Sequence, residues 1–322
     1  MMAVVKTKKT KKSSAQSDSS SLVEKYFVLV VGLPVFFWAC AFPLIKIGLK
    51  ELSPVNLAIL RLFIASVIFL LLLLTQKKRF SPFHKRDSFT LFLLGFVGIS
   101  VYHLTLNYGE QFVSAGAASL IIATIPIFVV ILAFIFLSER VVGRILLGIL
   151  VALVGVVVIS LWGNPGASIE IDYIFGALSV VVAAFVGAVY TISGKKLLDR
   201  YNPLSLTAYA FLLGNLGLIV FISPSFFEEV FTLSLTTWAA VLFLACFPTV
   251  IAYSLWYVAL EVKKASEISV FLYATPVIST LLSVFFIGET ITIYYILGGF
   301  LVLIGLYVVN KQRRKKSKLV KD

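Results

Sequence analysis

The chain has 322 residues, of which 60% are hydrophobic and 13% are charged, and its mean hydropathy is +1.03. A water-soluble chain of this length cannot bury so much apolar surface, which excludes an ordinary soluble fold. The unbroken apolar runs also exclude a membrane barrel, whose strands alternate apolar and polar residues. The composition therefore predicts an all-α polytopic membrane protein.

Ten apolar runs of about 20 residues, the length that crosses the hydrocarbon core as a helix, follow one another along the chain. They are predicted at 27–49, 54–75, 88–109, 115–137, 143–162, 172–194, 203–223, 237–259, 266–287 and 291–309. Residues 1–25 read as a disordered, basic cytoplasmic tail, 164–171 as a linker, and 311–322 as a second basic cytoplasmic tail.

The net charge of +13 is distributed unevenly between the two sides that these spans define. With a cytoplasmic N-terminus and an even number of spans, the cytoplasmic segments hold all 28 Lys and Arg residues except Lys46, Lys50 and Arg61. This positive-inside bias predicts a multi-pass protein of the cell membrane with both termini in the cytoplasm. The basic tails are expected to lie on anionic lipid, and nucleic acid is not an expected partner.

The sequence contains an internal repeat, because residues 115–159 overlay residues 265–309 without a gap at a shift of 150. The informative identities are Pro126 with Pro276, Glu139 with Glu289, Gly148 with Gly298, and Gly155 with Gly305. Two units of five spans follow, 26–163 and 172–310. Since five is odd, the second unit must enter the membrane upside down, an arrangement typical of transporters that bind substrate between the halves.

The segment FPLIKIGLKELSPVNLAILRLFI (42–64) and the paired pattern of a Pro, an acidic residue and a Gly-rich helix are similar to a known family. Over residues 26–310 the chain resembles the EamA family of the drug/metabolite transporter superfamily. The resemblance implies ten helices in two inverted repeats around a central cavity, and export of amino acids or other small metabolites. It implies no particular ligand. The second repeat has Ala210 where the first has Arg61, so the role of Arg61 is not duplicated.

Polar residues interrupt the third span in the stretch YHLTLNYGEQ, where His103, Asn107 and Glu110 fall on one helical face. Such a face is costly against lipid and must meet protein or water. The equivalent face of the eighth span is aromatic, with Tyr253, Trp256 and Tyr257. We expect both faces to line a cavity for an amphiphilic solute. The alternatives are hydrogen bonds that bridge helices and ordinary aromatic packing. For Glu110, near the outer interface, a solvated rim position is favoured over a role as a proton-coupling carboxylate.

Three further features of the spans bear on transport. Trp38 lies between two prolines in the first span, which favours a cavity wall or gate. Lys46 and Arg61 could attract a carboxylate or phosphate, but a structural pairing with a helix C-terminus or with Glu51 is favoured. Together with Glu110 they are the candidates for charge recognition or proton coupling. A helix kink is predicted at each of Pro126 and Pro276, where it could bend the helix around the cavity or act as a gate.

These patterns predict a secondary transporter that works by alternating access, most simply an exporter of amino acids or related solutes. The alternatives are an exchanger of organic phosphates or nucleotide-sugars, which would need more cavity cations, and a lipid flippase or scramblase. An intramembrane enzyme is not expected, because no acid, base and nucleophile share a depth. Neither a metal site nor a cofactor is expected, and the sequence does not determine the oligomeric state.

Overall fold

The chain is described by a computed structural model over residues 25–137, 143–162 and 171–319, in which all regular structure is helical. The predicted tail up to residue 24, nearly all of the linker, Glu139 and the last three residues lie outside the described residues.

The long helices follow in chain order, with a short surface helix between the seventh and the eighth. They are α1 (Phe27–Gly48), α2 (Pro54–Thr75), α3 (Lys85–Phe112), α4 (Ala115–Ile122 and Ile125–Leu137), α5 (Gly143–Trp162), α6 (Ile171–Leu197), α7 (Pro203–Phe221), the surface helix (Pro224–Phe231), α8 (Leu235–Val262), α9 (Ala265–Ile268, Ser269–Tyr273 and Ala274–Ile287) and α10 (Ile293–Leu319). Each predicted span overlaps one of the ten numbered helices.

Among the described residues, seven helices are long and apolar enough to cross a membrane by length and composition, namely α1 to α4 and α6 to α8. Three shorter apolar stretches, Leu150–Ile159, Phe271–Ile287 and Ile293–Gly305, belong to α5, α9 and α10. The chain is therefore an all-helical, multi-pass membrane protein.

The starts of the helices are encoded locally by capping residues. The Ser53 side chain accepts the N–H of Asn56 ahead of Pro54, and the Asn202 side chain accepts the N–H of Ser205 ahead of a proline at the same position of α7. Each cap satisfies an N–H that has no partner inside its helix, and proline fits the first helical position. The two caps are 149 residues apart, one residue less than the shift of the internal repeat.

Hydrogen bonds tie the first five helices to the last five at both ends of the bundle. At the end that holds Lys46, which we call the Lys46 end, both carboxylate oxygens of Glu51 bind Ser234 and the carboxylate of Glu229 accepts the N–H of Ser53. At the opposite end, the Arg200 end, Asp87 pairs with Arg200 at 2.7 Å and accepts the hydroxyl of Tyr201. These contacts fix the relative positions of the helices that surround the centre.

α5 and α10 pack closely through glycines. A Cβ atom at Gly155 would lie 2.6 Å from the carbonyl oxygen of Gly298, and one at Gly305 would lie 2.5 Å from that of Gly148. Small residues allow helix backbones to approach in this way inside a membrane. The glycine face of the last helix is therefore covered within the chain by α5, away from the central cavity.

A central aromatic cavity as the candidate functional site

A cavity lies at mid-depth in the bundle, between the two sets of five helices. It offers about 60 Å³ to the centres of water-sized molecules, which is room for roughly four to six waters. Its lining is mostly apolar and aromatic, with a few polar side chains, and consists of Trp38, Ala41, Phe42, Ile45, Arg61, Gly98, Tyr102, His103, Leu106, Ile122, Ile125, Gly187, Tyr190, Thr191, Tyr253, Trp256, Leu272 and Thr275. Pockets of this kind, apolar with a few convergent polar groups, are typical of ligand sites.

One wall of the cavity is a cluster of aromatic rings from α1, α6 and α8. The ring of Trp38 lies edge-on to those of Tyr253 and Trp256, with centroids 5.7 and 5.1 Å away. Tyr190 meets Tyr253 at 5.4 Å. Edge-to-face pairs at these separations stabilise one another beyond simple burial. The structure thus brings together three of the predicted cavity residues.

Tyr257, predicted on the same face of α8, does not line the cavity. Its hydroxyl donates to the backbone oxygen of Tyr190 at 3.3 Å, and its ring lies 5.0 Å from that of Tyr190. It therefore joins α8 to α6 and supports the aromatic wall from behind.

The segment Ala245–Ile251 of α8 is π-helical and contains Pro248. Because proline has no N–H, the carbonyl of Leu244 lacks its usual partner, and the Thr249 hydroxyl donates to it at 2.7 Å. The carbonyl of Pro248 itself accepts the indole N–H of Trp38 at 2.9 Å. In α3 the segment Phe96–Val101 is also π-helical, at almost the repeat-equivalent position. Such insertions are frequent at functional sites because they open the helix and redirect side chains.

Arg61 faces the cavity from α2 and is 2% exposed. Its Nε donates to the Thr249 hydroxyl at 2.8 Å, whereas its Nη1 has no hydrogen-bond partner among the described residues. No carboxylate of the described ranges lies within 4 Å of it. Of the two structural pairings expected, the one between Arg61 and Glu51 is not formed, since Glu51 binds Ser234 instead. Burial of a guanidinium without a counter-ion costs free energy, which a bound anion would offset.

His103 is fully buried in the cavity wall. Its Nδ1 lies 2.8 Å from the carbonyl oxygen of Ile99, and its Nε2 has no partner in the described part of the chain. The short bond to a carbonyl requires a proton on Nδ1, so a neutral ring presents Nε2 as an acceptor.

Asn107, one turn further along α3, lies outside the cavity lining. Its Nδ2 donates to the carbonyl oxygen of Pro54 at 3.2 Å, which bridges α3 to the start of α2. Its Oδ1 has no partner within residues 25–137, 143–162 and 171–319. From the sequence, Asn107 is expected either to line the cavity or to bridge helices, and in the structure it bridges α3 and α2.

Glu110 is fully buried, so its prediction as a solvated rim residue is wrong. The reason is tertiary: α1, α2, α4 and α6 all pack on the last turns of α3 and cover it. Both carboxyl oxygens lack a hydrogen-bond partner among the residues seen in the structure, and Glu110 interacts electrostatically with half-buried Lys46 and with Glu289. Lys46 does not line the cavity.

Pro126 and Pro276 both follow interruptions of their helices. α4 breaks at residues 123–124, just before Pro126, and α9 passes through a 3₁₀ segment, Ser269–Tyr273, before Pro276. Ile122 and Ile125, which flank the first break, line the cavity, as do Leu272 within the second and Thr275 just after it. Broken helices at mid-depth are a feature of membrane transporters, because irregular backbone is tolerated beside a cavity.

A family model described as the EamA-like transporter family matches residues 25–161 and, a second time, residues 174–311. The chain belongs to the EamA-like transporter family. Members of this family are transporters, and a small-molecule solute is the cargo that such a family implies.

Several curated proteins resemble this EamA-like chain over nearly their whole length. A protein of Archaeoglobus fulgidus, named an uncharacterized transporter, is 39% identical over 88% of this chain and 99% of its own. The uncharacterized transporter YdfC of Bacillus subtilis is 34% identical over 90% and 92%. A protein of Streptantibioticus cattleyicolor, named a probable terminal-alkyne amino-acid exporter, is 31% identical over 88% and 94%.

One solved crystal structure has the same fold as this EamA-like protein. The TM-score is 0.62 at 19% identity, and the match covers 89% of this chain and 97% of the other.

Sequence reasoning missed several residues of the lining, above all Tyr102, Tyr190, Thr191 and Thr275. The repeat could have indicated Thr191, since a shift of 150 places it opposite Ala41, three residues after Trp38 in α1. No polar stripe marks α6 in the sequence, and its contribution arises from its packing against α3 and α4.

Proposed function

We propose that this EamA-like protein exports amino acids or related small solutes across the cytoplasmic membrane by alternating access. The observation that carries the proposal is the aromatic cavity that Arg61 also lines, with a guanidinium whose Nη1 has no hydrogen-bond partner among the described residues. An amino acid complements both features, with a carboxylate for the guanidinium and an apolar or ammonium-bearing part for the rings. The relative named as a probable amino-acid exporter supports the same class of solute.

The proposed membrane arrangement has ten spans in two inverted repeats, 26–163 and 172–310, with both termini in the cytoplasm and the Lys46 end outside. Its support is the double match of the family model and the concentration of Lys and Arg at the Arg200 end. The cavity then lies between the repeats, and the helix breaks before Pro126 and Pro276 allow each repeat to open one side.

Within the cavity, Trp38, Tyr253 and Trp256 would hold the apolar part of the solute, and His103 would accept a hydrogen bond from its ammonium group. Arg61 is the only Lys or Arg that lines the cavity in the described part of the chain. A single guanidinium matches one carboxylate by two parallel hydrogen bonds, whereas a phosphate ester calls for several cations. This favours amino acids over organic phosphates.

Counterflow in proteoliposomes tests the proposal. Vesicles loaded with a mixed amino-acid pool are diluted into a trace of the same labelled pool, and uptake that requires the internal pool establishes carrier activity. Arg61→Gln and His103→Ala are expected to lower the uptake rate by more than tenfold, in line with a loss of about 1.5–3 kcal/mol per charged hydrogen bond.

The matched controls are Arg86→Gln and His84→Ala, which change exposed residues at the start of α3 and just before it. Both are expected to transport at the native rate. An absence of counterflow with folded native protein would reject amino acids as the solute. Counterflow of phenyl phosphate instead would favour organic phosphates.

A further inference from the structure

The hydroxyl groups along one face of α9 have an unusual environment. Thr275, Ser279 and Ser283 are spaced four residues apart, so they share a face, and each is at most 2% exposed. None of the three hydroxyls has a hydrogen-bond partner in the described ranges of the chain. An unpaired hydroxyl in an apolar interior costs about 1–3 kcal/mol, so the row needs an explanation.

Four other buried or half-buried Ser and Thr side chains satisfy themselves within their own helix, whereas the Ser269 hydroxyl of α9 is also unpaired among the described residues. Thr105, Thr191, Thr207 and Ser254 each donate to the carbonyl four residues earlier, at 2.7–3.0 Å. The hydroxyls of α9 are turned away from their own backbone instead. Their lack of a partner is therefore not a general property of helical hydroxyls in this bundle.

The row begins at the cavity and runs towards the Lys46 end. Thr275 lines the cavity, and Ser279 and Ser283 follow one and two turns later on the face that packs against α1 and the first part of α4. A second row of unpaired polar atoms rises from the cavity on α3, formed by His103, Asn107 and Glu110. α1 packs against both helices and lies along both rows.

Towards the Arg200 end, three of the repeat-equivalent positions are apolar, whereas those of His103 and Asn107 are Tyr253 and Tyr257. A shift of 150 residues places Val129 opposite Ser279, Ala133 opposite Ser283 and Leu260 opposite Glu110. Val129, Ala133 and Leu260 are as deeply buried as their counterparts. Helix packing in this fold therefore does not require polar side chains at these three places.

We propose that the two rows are the walls of a track by which a small polar solute and its hydration water pass between the cavity and the Lys46 end. The proposal rests on the proposed transport function. In this structure the track is closed, because α1 covers it and its polar atoms are buried. When α1 moves aside, water and solute supply the hydrogen bonds that these side chains lack.

The contact that closes the track is visible at its outer end. The carboxylate of Glu289, just beyond α9, accepts the N–H of Ala115 at 2.6 Å and that of Gly116 at 3.2 Å. It thereby joins the end of α9 to the start of α4, where a carboxylate is favourable because free N–H groups point outwards. Loss of this contact is expected to favour the open track.

Cysteine accessibility tests the track without knowledge of the solute. Ser279→Cys and Ser283→Cys are nearly isosteric, and Val277→Cys and Leu281→Cys are matched controls on the exposed face of the same helix. Intact cells are treated with a membrane-impermeant trimethylammonium thiosulfonate, and mass spectrometry of peptides measures modification at each position. We expect Ser279→Cys and Ser283→Cys to react at least tenfold faster than the controls.

Adding Glu289→Ala is expected to raise the modification rate at both track positions at least threefold and to leave the controls unchanged. Equal rates at positions 279, 283 and 281 in both backgrounds would overturn the track. If one cysteine variant does not fold, the other provides the same comparison.

A thermal melt of Ser279→Ala combined with Ser283→Ala separates the track from structural bonding. The expected result is an unchanged or higher Tm with counterflow at least fivefold slower. A lower Tm would show that the hydroxyls bond neighbouring helices, and would overturn the proposal. Absence of counterflow for every solute tried would reject the proposed function, whereas the labelling pattern reports on the track by itself.

Discussion

The indole of Trp38 makes ring contacts and also donates a hydrogen bond, and a single substitution can separate these two contributions. Its ring packs on Tyr253 and Trp256, and its N–H satisfies the carbonyl oxygen of Pro248. Sequence reasoning identified Trp38 as a wall or gate because of the flanking prolines. The partner, a carbonyl in an irregular segment 210 residues away, has no signature in the sequence around Trp38.

Trp38→Phe should keep most of the ring contacts and leave the Pro248 carbonyl unpaired. We expect a loss of about 1–3 kcal/mol of stability, because a buried acceptor loses its donor. Thermal unfolding in detergent measures this against Trp238→Phe, which changes a half-buried indole on the same helix as Pro248. An equal Tm for the two variants would contradict the role of the hydrogen bond.

Glu51 gives the Lys46 end a dependence on pH. The hydroxyl and the N–H of Ser234 donate to its carboxylate at 2.6 and 2.8 Å, and these hydrogen bonds lower the pKa of Glu51 below its usual value of 4.5. Because the pKa of Glu51 is lower in the folded state than in the unfolded chain, these bonds stabilise the fold fully at pH values above the usual pKa. The stabilisation is lost as the pH falls through the lowered pKa.

The native protein should therefore melt at a higher temperature than Glu51→Gln at pH 6, and the difference should shrink as the pH falls below 4.5. Thermal melts between pH 3.5 and 7 at constant salt, roughly spanning the ordinary carboxyl range, check this. Glu228→Gln removes a charge from the nearby surface helix as the control. A difference that grows on acidification would contradict the assignment.

Among the elements, the π-helical segment of α8 has the largest effect on the site. It places Thr249 where one hydroxyl donates to Leu244 and accepts from Arg61. The sequence contains Pro248, which predicts a disturbed helix, but it does not say which side chain satisfies the freed carbonyl. The position of the Thr249 side chain depends also on its hydrogen bond with Arg61 of α2.

Thr249→Val should remove the hydroxyl bond to the Leu244 carbonyl and leave the Arg61 Nε without a partner, at a cost of about 1.5–3 kcal/mol. It should also raise the KM for the solute, because the guanidinium is no longer held in place. Thr249→Ser retains the hydroxyl and is expected to stay near native in both respects. Thermal unfolding and counterflow measure the two effects, and a stable, fully active valine variant would refute the role.

At the scale of the whole molecule, contacts at both ends hold the two five-helix sets together. The Lys46 end uses Glu51, Glu229 and Glu289, and the Arg200 end uses Asp87 with Arg200. The proposed alternating access needs each end to open in turn, so these contacts are expected to break on alternate sides of the membrane.

The proposed inverted arrangement makes a prediction about sidedness. A shift of 150 places Leu49 opposite Asp199, and the two residues lie at opposite ends of the bundle. Asp199 is exposed, and so is Lys50, which follows Leu49. Cysteines at 50 and 199 should therefore be labelled by an impermeant reagent from opposite sides. Labelling of position 50 from outside intact cells, and of position 199 only after lysis, is the expected result. Labelling of both from one side would reject inversion.

The sequence by itself determined the class of protein, the positions of the helices and the family. Hydrophobic runs, caps and repeated prolines are local signals, since each depends on the spacing of a few residues along one helix. Such signals also indicated four residues of the cavity wall, Trp38, His103, Tyr253 and Trp256, because polar and aromatic stripes on membrane helices must face inwards.

Only the tertiary structure decided which stripe residues reach the cavity and which lie elsewhere. Asn107 and Tyr257 belong to the same stripes as the lining residues, but neighbouring helices cover them; Glu110 is buried because four helices meet around it. The pairing of Arg61 with Thr249, and not with Glu51, likewise depends on contacts between residues 188 positions apart. The physical reason is that a helical stripe specifies only a direction, whereas the depth of a side chain and its partner are set by how the helices pack.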